Sequence, residues 1–213
     1  MSCSNGESLT LGRRDAAAGA ADLVLTCRPG KTDGSLRFLY TLENRGTAEV
    51  FVMDALPSID PATGEGRAKQ QAAVVILDGQ LDAVVGKFAA PPPTERRVAV
   101  LVVPLARRLS PGGKLEGQLT IPTPLAETSP YFADLTPRQY EPVDINAVVF
   151  TIGYWQAGVD GLVAAPAEYA PGLFTVITRN TLRSARRVSQ RFPTAGLQIL
   201  KRTDAFARSL TVD

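Results

Sequence analysis

The stretch TRNTLRSARRVSQRFP, Thr178 to Pro193, carries five arginines and no acid. Arginine presents a planar fork that grips carboxylate or phosphate in two places and keeps its charge at any physiological pH. In an extended chain Arg179, Arg183, Arg187 and Arg191 share one parity, while Leu182, Val188 and Phe192 share the other. On a helix Arg186 joins those four on a single face. Thr178, Thr181 and Val188 favour strand, so extended structure is expected. A one-sided row of this kind could hold an acidic protein, a nucleic acid or an anionic lipid surface. The plainer expectation is a solvated face, or one paired with the chain's own acids. Aromatics do not alternate with the arginines, and the sequence pI of about 8.6 is modest for a nucleic-acid binder.

A second segment offers contact area instead of charge. In SPYFADLTPRQYEPVD, Ser129 to Asp144, Tyr131, Phe132 and Tyr140 stand among prolines. Rings held on a stiff backbone make low-entropy contact surface of the kind found at interface hot spots. The competing expectation is that they fold back and close one end of the domain.

Other chemistries lack their parts. The chain has no histidine, which removes the usual base of Ser–His and Cys–His hydrolases and the commonest transition-metal ligand. GKT at Gly30 to Thr32 resembles the end of a phosphate loop, but Leu25 occupies the required glycine position. GEG at Gly64 to Gly66 opens no βαβ unit. Two cysteines, Cys3 and Cys27, are too few for a disulfide framework or a cysteine-based zinc site. The expectation is a non-enzyme without catalytic residues, metal or cofactor.

The elements that must position these residues read as strands. At 213 residues, 45% apolar and 21% charged, the chain can bury a core without crosslinks. Net charge is only +2, yet no acid occurs between Glu168 and Asp204, an interval holding seven basic residues. Removing those from the 23 basic residues leaves 16 against 21 acids, a mildly acidic body with a basic C-terminal segment. No apolar run approaches the roughly 18 residues of a spanning helix, so a cytoplasmic protein is expected. The alternative is a lipoprotein or periplasmic protein whose start, MSCSNGES, has lost its signal.

Residues 1–21 read as a flexible leader. DLVLTC, then the turn RPGKTDGS, lead into SLRFLYTLE, where Leu36, Phe38, Tyr40 and Leu42 alternate with polar residues. AEVFVMDAL is expected to return beside it as a hairpin partner, followed by a long polar loop, PSIDPATGEGRAKQQ. AAVVIL and LDAVVGKFA flank the turn DGQ, and the stiff linker APPPTE precedes RRVAVLVVPL, an apolar run expected as a central strand. After the turn SPGG comes KLEGQLTI, which alternates cleanly. Pro122 to Pro142 looks irregular, DINAVVFTIGYWQ is the longest strand candidate, and GLFTVITRN is the last clear one.

About nine strands with almost no helical periodicity imply an all-β fold, a β-sandwich of immunoglobulin-like kind. The division expected is a domain over 22–180 and a basic segment over 181–213, extended or a short helix, packed on it or extending it. The function expected is protein binding or self-assembly, with another protein or a second copy as partner, through loops or edge strands. Weak contact with nucleic acid or an anionic surface is the alternative.

Overall fold

The computed structural model describes residues 22–32, 34–60, 62–92, 101–131 and 139–203. Among these the chain is all-β, with fifteen strands in several sheets where about nine were expected. No helix among the described residues is long and apolar enough to cross a membrane.

β1 (Leu23–Thr32) and β2 (Ser35–Asn44) form a hairpin, and β8 (Lys114–Pro122) pairs antiparallel on the other side of β2. The expected turn RPGKTDGS is largely strand, since Thr32 pairs with Ser35. Gly34, at φ 76°, supplies the left-handed conformation. β2 buries Leu36, Phe38, Tyr40 and Leu42, as its alternation predicts.

β3 (Val50–Ile59) is not the hairpin partner of β2. It crosses into a second, larger sheet, and its burial gives the reason: Val50 through Ala55 are all buried. A strand buried on both faces needs a sheet covered on both sides, which β2 does not provide. Asn44 staples this crossing. Its Nδ2 donates to Ala48 O at 2.9 Å and to Leu109 O at 3.2 Å, while Gly112 N–H donates to the Asn44 carbonyl at 2.7 Å.

The expected polar loop after β3 is a hairpin with β4 (Gly66–Lys69), in which Ile59 pairs with Gly66. β5 (Val74–Leu77) and β6 (Asp82–Lys87) form the hairpin that the DGQ turn implies. Of RRVAVLVVPL, residues 96–100 lie outside the described residues and 101–104 are not strand. β7 is Leu105–Leu109, LARRL, and pairs with β3. Leu101 is exposed, so the apolar run is no central strand at that point.

β11 (Ala147–Gln156) is the axis of the large sheet. One edge carries β14 (Arg186–Pro193), antiparallel, with Tyr154 opposite Arg186. The other edge is shared: β6 runs parallel to Ala147–Ile152, and β3 runs antiparallel to Tyr154–Gln156. β3 and β6 therefore fork near Gly153. Beyond β7 the sheet ends in β13 (Phe174–Ile177) and β12 (Val163–Pro166). A third, small sheet orders β10 (Tyr140–Asp144), β15 (Gln198–Arg202) and β9 (Leu125–Ala126), so the expected irregular segment contributes two strands.

Two cores result. The first lies between the three-stranded sheet and one face of the large sheet, where Phe38 stacks on Phe150 at 4.9 Å between ring centres. Such a pair is worth about 0.5–1.5 kcal/mol beyond the area it buries. The second core lies on the opposite face of the large sheet. There Phe51, Met53, Phe88 and Trp155 are covered by connecting segments that include Val103, Leu162, Leu182 and Ala185.

Candidate functional site

The five arginines separate on folding. β14 is extended, and its pleat sends Arg187 and Arg191 to one face and Arg186 to the other. Arg191 grips Asp82 with two bonds, Nε to Oδ2 at 2.7 Å and Nη2 to Oδ1 at 3.0 Å. Arg187 lies 4.5 Å over the Phe88 ring and donates to Ala89 O at 3.1 Å. Arg186 donates to Gln156 Oε1 at 2.8 Å. Arg179 and Arg183 stand exposed in the turns that precede β14. Three of the five thus fasten β14 to its neighbours, and the row is not a single free surface.

Of the aromatic segment, Phe132 lies outside the described residues. Tyr131 is half-buried against the second core, and its hydroxyl accepts the Val102 N–H at 3.1 Å. Tyr140 opens β10 opposite Arg202. The structure does not bring Tyr131 and Tyr140 onto the arginine row.

A buried ion cluster sits at the fork, unsignalled by any sequence motif. Asp54 is the extra residue of a β-bulge, since Met53 pairs with Ala106 and Ala55 with Leu105. Bulges re-aim side chains. Asp54 accepts from Lys87 Nζ at 2.7 Å on Oδ1, and from Arg107 Nε at 3.1 Å and Nη2 at 2.8 Å on Oδ2. Burial pushes the Asp54 carboxyl up, but the Lys87 ammonium and the Arg107 guanidinium outweigh it and hold it below the ordinary carboxylate value. Around it lies a cleft lined by Leu56, Val74, Phe88 and Pro104. The cluster ties β3, β6 and β7 together at the fork. Cys27 is inert: burial pushes its thiol up to about 12. Among the described residues no group of acids and cysteines is placed to hold a metal ion.

What the fold leaves open is backbone. The β1–β2 hairpin closes on Thr32 and Ser35, so Ser35 and every second residue after it direct N–H and C=O toward β1. Leu36, Phe38, Tyr40 and Leu42 then bond to β8. Bonds at both ends of β8 agree: Thr123 N–H donates to Gly34 O at 2.9 Å, and Asn44 N–H to Gly113 O at 3.0 Å. It follows that Leu115, Gly117, Leu119 and Ile121 bond inward, while Lys114, Glu116, Gln118 and Thr120 turn N–H and C=O outward. Among the described residues no strand pairs this outer edge.

Three of the other sheet edges, those of β1, β5 and β12, are blunted. Along β1, Pro29 lacks a donor and Cys27 N–H is taken by Gln190 Oε1 at 2.8 Å. β5 is bridged by Thr128 and capped by Glu127, whose Oε1 accepts Leu77 N–H at 2.9 Å. β12 spans four residues and ends in Pro166. β8 spans nine in unbroken register with β2. Gly117 keeps it flat against Tyr40, because a Cβ there would lie 2.3 Å from the Tyr40 ring. Only the sequence pattern of KLEGQLTI, regular alternation between two turns, pointed toward this strand, and nothing in it marked an edge. The chain matches no protein-family model, no curated protein and no solved structure.

Proposed function

We propose that this chain is a non-catalytic β-sandwich module, immunoglobulin-like in having two packed and mostly antiparallel layers, that binds another protein chain by strand addition at β8. The observation that carries the reading is the outer edge of Lys114–Pro122, which no strand pairs among the described residues and which runs nine residues without bulge or mid-strand proline. Main-chain bonds supply affinity in this mode, and alternate side chains supply selectivity. Support for a non-catalytic role comes from the absence of histidine.

The experiment is affinity capture from the proteome of the native host with wild-type protein and Gln118→Pro. Proline removes an outward N–H and leaves the inward ladder to β2 in place. A stoichiometric partner held by the wild type and lost by the variant supports the reading, provided both proteins melt alike. Equal capture by both overturns it.

The anionic-surface reading rests on Arg179 and Arg183 alone, since Arg186, Arg187 and Arg191 have partners within the fold. Retention on heparin at low salt, with an affinity falling steeply as salt rises, would favour it.

A further inference from the structure

We infer that the occupant of the β8 edge is β8 of a second copy, paired antiparallel about a two-fold axis through Gln118. The inference rests on the strand-addition reading above and names its partner. Three features of the edge point to its own copy.

The first is register. Outward residues must face outward residues, so symmetric pairing sets even-numbered positions opposite one another. Centring on Gln118 gives the longest overlap: Gln118 meets its own copy, Glu116 meets Thr120, and Lys114 meets Pro122. The missing N–H of Pro122 falls at the margin, where it interrupts nothing.

The second is charge. The edge carries one cation, Lys114, and one anion, Glu116, both in its first half. Centring on Glu116 would oppose two carboxylates, and like charges directly opposite destabilise a pair. Centring on Gln118 opposes none. No lysine or proline stands mid-strand to repel a copy, the devices that normally protect an edge.

The third is the apolar face. A two-fold axis perpendicular to the sheet keeps both inner faces on one side. Leu115, only partly buried in the single chain, would then lie opposite Ile121 of the partner subunit, and the two first cores would become continuous beneath a six-stranded sheet. That burial adds hydrophobic stabilisation to the main-chain bonds.

The test is solution mass by light scattering on wild type, Gln118→Pro, Gln118→Lys and Gln118→Glu, with melting temperature as the check on folding. The wild type should have twice the 22.7 kDa of the chain. Each variant should be monomeric with a melt near that of the wild type, since position 118 lies outside the inward ladder and its one bond from Arg37, 2.7 Å to Oε1, is exposed to solvent. Mixing Gln118→Lys with Gln118→Glu should restore the double mass, because unlike charges then meet on the axis. A dimeric Gln118→Pro protein would overturn this inference, because the copies would then join at another surface. A monomeric wild type would overturn self-pairing alone, and the capture experiment then decides the edge reading independently. Monomeric variants whose mixture stays monomeric would overturn the Gln118-centred register.

Discussion

Tyr154 and Trp155, adjacent along β11, bury their rings in different cores on opposite faces of one sheet. The sheet therefore works as a partition, filled on both sides. Trp155 is fully buried, and its indole N–H donates to Thr181 O at 2.8 Å, which ties the turn before β14 to the second core. Trp155→Ala should cost about 3–5 kcal/mol, as large aromatic truncations do. Urea titration followed by circular dichroism measures this, and a loss below about 1 kcal/mol would mean that the second core contributes little.

The fork cluster should behave as a unit. Asp54→Asn leaves the Lys87 ammonium buried without a counter-charge and should cost about 3–5 kcal/mol. Asp54→Leu combined with Lys87→Met removes both charges, and Arg107, whose side chain is 42% exposed, can turn to solvent. The double variant should be more stable than Asp54→Asn. A double-variant loss equal to or larger than that of Asp54→Asn would show that the ions are not the source of the effect.

The same cluster sets a pH dependence. Because the folded state holds the Asp54 carboxyl below its ordinary value of 3.8, the unfolded chain binds that proton first as pH falls. The stabilisation is complete well above pH 3.8 and is lost as pH drops through the lower folded value. The urea midpoint of the wild type should therefore fall more steeply below about pH 5 than that of Asp54→Asn. Parallel curves would contradict the assignment.

Strand content was legible where local pattern and burial agreed. Leu36, Phe38, Tyr40 and Leu42 alternate in sequence and are buried in the fold. For the arginine stretch the pattern fits strand and helix alike, and only its β-branched residues favoured the extended form that β14 adopts. Pairing was not legible. Val50 to Ala55 read as a hairpin partner because sequence proximity suggests adjacency, whereas burial on both faces sends them to the other sheet. Asp54, Lys87 and Arg107 lie 33 and 53 positions apart, and only a bulge aims the carboxylate at both cations. The arginine row dissolved for a related reason: strand pleat sets Arg186 against Arg187, and Asp82, 109 positions away, takes Arg191.

Among the described residues the outer backbone of β8 has no partner, and strand addition requires it to be free in the single chain. Residue-resolved amide exchange, on protein held monomeric by Gln118→Lys, tests it most directly. Leu115, Gly117, Leu119 and Ile121 should be protected by β2, while Lys114, Glu116 and Thr120 should exchange close to the rate of an unstructured chain. Protection of both sets in the monomer would mean that the edge is already covered, and would contradict strand addition at β8.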